Sequence, residues 1–199
     1  MAGSESDEPT RRRIRIEERG RRGKKLAPSV ASGAEDDELP APCGCPRLDP
    51  ADWDAVESDW SDITFVKTMT NAVLGVPMGF DSTRQALAKK AGALGATVPE
   101  DAMLLLGSGR FRRPMMLEVE HAPAGGKKGI LRPGGIAFTR LVEAPWGEMQ
   151  GKVGQVKDEA RARYHRDPDG LWVWYLTCRE CSRPRNFETL VVAHYRTAP

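Results

Sequence analysis

The order of the secondary-structure elements that the sequence predicts constrains the fold more than any single motif. From about residue 62 onward, segments with period two that are rich in β-branched and aromatic residues alternate with two amphipathic segments of helical period. A strand, a helix and two strands occupy about residues 62–122, and the same order returns over about 134–196. A segment rich in Gly, Lys and Pro, 123–135, separates the two halves. The sequence therefore predicts an internal duplication.

Two such halves limit the architecture, because an amphipathic helix must cover one face of a sheet. We expect an α+β fold in which duplicated strand–helix–strand–strand units join their strands into one antiparallel-rich sheet carrying two helices. Residues 42–199 are expected to form a single domain. Ser82 and Gln85 predict a capping box at the start of the first helix. Asp49 and Pro50 predict a helical turn in the segment that precedes the first half.

The first 41 residues have a different composition from the rest of the chain. The stretch "RRRIRIEERGRRGKK" holds nine Lys or Arg, and four consecutive acids follow at 35–38. Few residues there could be buried, so 1–41 is predicted to be a disordered, charged tail. The tail could bind nucleic acid or could only solubilise the protein. We favour the second role, since the acidic block weakens the field of the basic one.

The remaining composition indicates an ordinary globular protein. The 199-residue chain is 40% hydrophobic and 29% charged, with a formal net charge of +2. Its apolar runs are shorter than the roughly 18 residues that a spanning helix needs, so no membrane partner is expected. The basic cluster near the N-terminus lacks a following apolar stretch, which favours a cytoplasmic location.

The four cysteines form two close pairs that lie far apart in the sequence. Cys43 and Cys45 form a C-x-C pair, and Cys178 and Cys181 form a C-x-x-C pair at the end of an apolar run. Four thiolates in two close pairs can provide the ligands of a structural zinc ion. A reversible disulfide and unlinked thiols are the alternatives. Zinc is the favoured interpretation, and no motif indicates an organic cofactor.

The aromatic residues of "LWVWYLTC" are candidates for ligand binding. Strand alternation puts Trp172 and Trp174 on one face of the sheet and Tyr175 on the other. Two indoles at this spacing can stack a planar apolar ligand or attract a cation, although they could equally pack as core. Trp146, at the start of the second helix, could close the same cleft.

Acidic residues on the strands are candidates for catalysis. Glu118 and Glu120 share one face of the strand "MMLEVEHA", which could be simply a solvated face. If Glu118 lines a cleft instead, desolvation raises its pKa and suits it to act as a general base that activates water. Glu143, at the end of the fourth strand, is the second candidate.

The duplicated order resembles that of the GyrI-like small-molecule-binding superfamily over about residues 62–196. The stretch "RLVEAPWGEMQGKV" is similar to the strand end, turn and helix start of that superfamily, with Ala144-Pro145-Trp146 where Gly-Pro-Tyr is usual. The stretches "CGCP" and "WYLTCRECSRPRNFETLVVAHY" look similar to bacterial members loosely labelled hydrolases. The resemblance implies two halves that meet at a pseudo-twofold seam. It also implies a cleft for flat, apolar, often cationic molecules, in which some members hydrolyse strained electrophilic rings.

Three functions follow as hypotheses. The first is a small-molecule-binding protein with an aromatic and acidic cleft, which is also a candidate hydrolase of electrophilic or xenobiotic compounds. The second is a zinc-stabilised nucleic-acid-associated module that uses the Arg-rich tail, and the third is an interaction protein without a ligand. The first is favoured.

Overall fold

The computed structural model describes residues 13–15, 44–123 and 128–196. Its strands are β1 (Arg13–Arg15), β2 (Val56–Asp59), β3 (Thr64–Val73), β4 (Val76–Pro77), β5 (Leu104–Gly107), β6 (Arg112–Val119), β7 (Ile130–Leu131), β8 (Ile136–Val142), β9 (Gly170–Tyr175) and β10 (Thr189–Tyr195). Its helices are α1 (Pro50–Trp53), α2 (Phe80–Ala93) and α3 (Trp146–Tyr164).

The strands form one open antiparallel sheet in the order β1-β2-β8-β10-β9-β5-β6-β3-β4, with β7 paired to β3. Apart from the two-residue strand β4, the first half is β3, α2, β5 and β6, and the second half repeats this order as β8, α3, β9 and β10. The halves meet at the middle of the sheet, where β5 pairs with β9 through Leu106 opposite Val173 and Gly107 opposite Trp172. The α+β class and the duplicated element order are therefore confirmed.

The two long helices cover the same face of the sheet, which we call the helix face. Leu87 and Ala91 of α2 are fully buried against it, as is Ala160 of α3. Tyr164 of α3 packs on Tyr195 of β10, with ring centroids 4.6 Å apart. Burial of these apolar stripes supplies most of the stability of the helices, because isolated helices of this length are marginal in water.

The segment 44–63 covers the other face of the sheet, which we call the opposite face. Trp53 in α1 packs edge-on against Trp174, with centroids 6.0 Å apart. Trp60 stacks on His194 at 5.1 Å and also packs against Phe65. Both faces of the sheet are therefore buried near its centre, although the sequence predicted helices alone as the cover.

The segment before the first half contains more structure than expected. Asp49 caps α1 by accepting a hydrogen bond from the Ala51 amide, and Pro50 takes the first helical position, so the helical turn is confirmed. This turn is a third helix beside the two that were expected. The next residues form β2, an unpredicted strand that pairs with β8.

The predicted tail is described at three residues only. β1 (Arg13–Arg15) pairs antiparallel with β2 at the edge of the sheet, and the rest of the segment 1–41 lies outside the described residues. Its predicted disorder therefore stays a prediction. Within the described ranges, no helix is both long enough and apolar enough to cross a membrane.

Candidate functional site

A cavity of about 690 Å³ lies on the helix face beside the end of β9. Tyr175, the last residue of β9, and its cross-strand partner Thr189 contribute to its floor. Ala144 and Met149 line the cavity where α3 begins. The remaining wall comes from the connection between β9 and β10, residues 176–188. The second half of the duplicated fold thus supplies the described lining.

The connection between β9 and β10 lines the cavity with both polar and apolar side chains. Its lining residues are Thr177, Cys178, Arg179, Ser182, Arg183 and Phe187. Two guanidinium groups are therefore present, and none of the described lining residues carries a carboxylate. The partial positive charge at the start of α3 lies beside the same cavity. This environment favours neutral or anionic molecules.

Tyr175 links the cavity to the first half of the molecule. Its ring packs edge-on against Phe80, the first residue of α2, with centroids 6.4 Å apart. Burial raises the pKa of the Tyr175 phenol, and the nearby guanidinium of Arg113 offsets part of that increase. Arg113 is held in place by hydrogen bonds to the carbonyl oxygens of Gly107 and Gly75, each 2.7 Å long. Tyr175 is thus a neutral hydrogen-bond donor at the seam between the halves.

The connection between β9 and β10 is tied to the start of the domain by one arginine. Arg185 donates to the carbonyl oxygens of Pro46 at 2.8 Å and Leu176 at 3.1 Å. Its guanidinium also forms two bonds to one carboxylate oxygen of Glu188, 2.6 and 3.1 Å long. Because only 9% of the Arg185 side chain is exposed, water screens these contacts weakly. The segment around Pro46 and the cavity wall are therefore joined directly through Arg185.

Three cysteines meet beside this arginine. The sulfur atoms of Cys45, Cys178 and Cys181 all lie within 4.8 Å of one another. The Cys178 amide donates to the sulfurs of Cys45 and Cys181 at 3.2 and 3.3 Å. Backbone amides of Cys181 and Glu180, the largest causes, lower the pKa of Cys178 to about 7. These three cysteines could bind a metal ion, whereas Cys43 lies outside the described residues.

Glu143 is an exposed residue next in sequence to the lining residue Ala144, and it is not itself part of the described lining. Its Oε2 accepts a hydrogen bond of 3.0 Å from the side-chain amide of Asn186. The residues next to these two, Ala144 and Phe187, both line the cavity. Asn186 and Phe187 have positive φ values of 46° and 56°, which mark a sharp bend that Glu143 supports. Among the carboxylates proposed from the sequence, Glu143 is the one beside this cavity.

The tryptophans proposed from the sequence lie on the opposite face of the sheet. Trp174 is 5% exposed and packs against Trp53. The indole of Trp172 lies across two glycines of the sheet: a Cβ on Gly107 would lie 2.9 Å from its Cζ3, and one on Gly170 would lie 2.6 Å from its Nε1. Neither tryptophan lines the cavity described above. Trp146 begins α3, but its side chain is outside the described part of the structure.

Glu118 is also on the opposite face. Val173 pairs with Leu106, and Leu106 pairs with Met115, so Met115 lies on the same face as Val173 and Tyr175. Side chains alternate along a strand, and Glu118 is three positions after Met115, so it lies on the other face. It is 5% exposed, and its carboxylate accepts a 3.0 Å hydrogen bond from the Met103 amide. Glu118 does not line the described cavity. Its role as a base stays a prediction.

Several lining residues were not singled out from the sequence. They are Met149, Thr177, Arg179, Ser182, Arg183 and Phe187. All but Met149 lie within or just after the cysteine-containing connection, so the C-x-x-C pair was the available signal. The sequence could not show that this connection turns toward the helix face.

A protein-family model matches most of the chain. The family model described as bacterial hydrolase covers residues 35–194, which is more than half of the 199-residue chain. The matched range includes both halves, the cavity and all four cysteines. None of the curated proteins matches the chain. The chain therefore belongs to the bacterial hydrolase family.

Proposed function

We propose that the protein hydrolyses a small, neutral or anionic electrophile, such as an activated ester or a strained ring, in the cavity beside Tyr175. The observation that carries this proposal is a cavity of about 690 Å³ that combines the partly buried phenol of Tyr175 with two arginines. Cavities of roughly 300–1,000 Å³ suit small organic ligands. Membership of the bacterial hydrolase family supports the reaction class.

The duplicated sheet supports the proposal that the fold is GyrI-like. Two equivalent units meet at β5 and β9, and the cavity lies next to that pair of strands. The cysteine-containing connection forms much of its wall, and we propose that these cysteines carry a structural zinc ion. The fold then provides a rigid floor, and the connection provides specificity.

The lining favours a substrate charge different from the one expected from the aromatic pattern. Arg179 and Arg183 attract carboxylate or phosphate groups, while Met149 and Phe187 provide apolar contact. A cation would be repelled by the two guanidinium groups, because the described lining contains no carboxylate and Glu143, beside Ala144, lies outside that lining. We therefore propose neutral or anionic ligands in place of cationic ones.

Two residues are proposed to take part in the chemical step. Glu143 acts as the general base: it removes a proton from the water that attacks the electrophilic carbon. The phenol of Tyr175 donates a hydrogen bond to the oxygen on which negative charge develops, since its raised pKa keeps it protonated at neutral pH. The leaving group then departs with a proton from solvent or from the protonated Glu143.

Steady-state hydrolysis of matched probes tests this proposal. The p-nitrophenyl esters of acetate, of succinate and of a trimethylammonium acid differ mainly in charge, and styrene oxide represents strained rings. We expect kcat/KM to be highest for the succinate ester and lowest for the cationic ester. Tyr175→Phe is expected to lower kcat by about 10²–10³-fold, as loss of one oxyanion donor does.

A control variant distinguishes loss of the proposed base from loss of one negative charge elsewhere on the protein. Glu143→Gln is expected to lower kcat by about 10²–10⁴-fold, whereas Glu100→Gln changes an exposed carboxylate outside the lining and should have no effect. Circular dichroism of each variant verifies folding. Absence of turnover for all four probes, or equal turnover by Glu143→Gln and wild type, would overturn the proposal.

A further inference from the structure

We infer that Cys45, Cys178 and Cys181 bind one zinc ion together with Cys43, and that this ion fixes the wall of the cavity. The statement about the wall bears on substrate binding only if the proposed function is correct. The metal site itself does not depend on it.

The separation of the sulfur atoms matches shared metal coordination. Cys178 Sγ and Cys181 Sγ lie 3.6 Å apart. Two sulfurs bound to one tetrahedral zinc at about 2.3 Å are separated by about 3.8 Å. A disulfide requires about 2.05 Å. The spacing therefore fits two ligands of one ion and not a bonded pair.

Backbone amides around the cluster favour the charged form of the ligands. The Cys178 amide is directed at the sulfurs of both Cys45 and Cys181. An amide that donates to a thiolate stabilises its negative charge, and metal ligation requires that charge. The connection is therefore folded around the sulfurs as a set, in the arrangement expected for a ligand loop.

The fourth ligand is assigned from the sequence. In the described part of the chain, the group contains the three cysteines and no histidine or carboxylate. Cys43 lies two residues before Cys45 in the sequence and is the remaining cysteine of the chain, so we assign it as the fourth ligand. A four-thiolate set favours zinc over magnesium or calcium, which prefer oxygen ligands.

A metal ion in this cluster would also join two segments of the chain. The connection 176–188 lines the cavity through six residues that include Cys178. Cys45 lies in the segment before α1, which reaches this connection also through the bond from Arg185 to Pro46. A zinc ion would join the same two segments at a second point. Loss of the metal should loosen the wall without unfolding the sheet, whose strands are paired independently of it.

Metal analysis of the full-length protein tests the ligand set. Protein purified with reductant and without chelator should contain about one zinc per chain, and cobalt substitution should give the intense thiolate charge-transfer bands of a tetrahedral site. Cys43→Ser and Cys178→Ser should each lose the zinc to a competing chelator that leaves the wild type loaded. Glu180→Gln, which changes one of the two exposed residues between Cys178 and Cys181, should retain it.

Three results would overturn the inference: a metal-free wild-type protein that does not bind cobalt, a disulfide between any of these cysteines in mass spectrometry, or a different metal at stoichiometric occupancy. If Cys43→Ser keeps the four-thiolate cobalt spectrum, the assigned ligand set is wrong.

Hydrogen exchange tests the effect on the wall. Removing zinc should increase amide exchange over 176–188 and 44–48 and leave β8 and β10 protected. Unchanged exchange in the connection would refute the structural role. Because these readouts do not involve turnover, a zinc-loaded protein that cleaves none of the probes would contradict the proposed function alone.

Discussion

The flat packing of Trp172 on the sheet gives a sharp prediction about Gly170. A Cβ added at Gly170 would lie 2.6 Å from Nε1 of Trp172, and all three of its nearest atoms belong to that indole. Ordinary contacts between such atoms lie at about 3.5–4.0 Å, so the ring must move by about 1 Å. The same indole also lies over Gly107, and moving it breaks this second contact.

The expected cost of Gly170→Ala follows from this clash. Overpacking costs about 1–3 kcal/mol, and the lower entropy of the unfolded alanine variant offsets about 0.4–1 kcal/mol. The net loss should be about 1–2 kcal/mol, which corresponds to a decrease in Tm of about 2–8 °C at this chain length. Thermal unfolding followed by circular dichroism measures it.

A double-mutant cycle identifies the cause. In a Trp172→Leu background the clash at Gly170 is gone, so Gly170→Ala should stabilise by about 0.4–1 kcal/mol, with a coupling energy of about 1–3 kcal/mol. Gly107→Ala should still destabilise that background, because its Cβ would also lie 2.6 Å from Cγ of Pro114. Gly92→Ala, with no neighbour within 4 Å in α2, should stabilise by about 0.5–1 kcal/mol. An equal loss for Gly170→Ala in both backgrounds would refute the argument.

Two further predictions concern the connection and the core. In Arg185→Lys one nitrogen replaces the three that bond Glu188, Leu176 and Pro46, so the variant should destabilise the protein by about 1–3 kcal/mol and increase hydrogen exchange over 44–48. Burial lowers the pKa of His194 below its usual 6.5, so the unfolded chain takes up the proton first as pH falls. The free energy of unfolding should therefore decrease below about pH 6.5, and His194→Gln should flatten this dependence in denaturant titrations at several pH values.

The element order could be predicted because it depends on periodic patterns that extend over many residues. The short strands could not be predicted, because β2 has four residues and β7 has two. Such lengths are too short to show a clear alternation of apolar and polar residues. The start of α2 was also misplaced. The helix begins at Phe80 after Gly79 with φ 64°, and Ser82 donates to the Gly79 carbonyl instead of capping. Contact between Phe80 and Tyr175 explains why packing prevailed over the local capping signal.

The candidate site was predicted only in part, because the sequence does not show which face of the sheet remains open. Trp172 and Trp174 have the composition of a binding platform, yet segment 44–63 covers their face, with Trp53 packed on Trp174. The polar character of that segment gave no sign of this cover. Tyr175 lies on the other face and meets the cavity.

The two halves of the duplicated fold differ most where the cavity lies, and this difference supports a functional role for the second half. In the first half, β5 and β6 are joined by residues 108–111, a short turn. In the second half, the equivalent strands β9 and β10 are joined by residues 176–188. A stable sheet needs only the short turn, since such turns close antiparallel strands at little cost in entropy. The longer connection therefore requires another explanation, and it is this segment that brings Cys178 and Arg183 to the cavity. Ordering a connection of this length costs conformational entropy. The Arg185 contacts and the inferred zinc ion would offset that cost. The two halves thus repeat the same sheet elements, and the second half alone carries the extended connection that lines the described cavity.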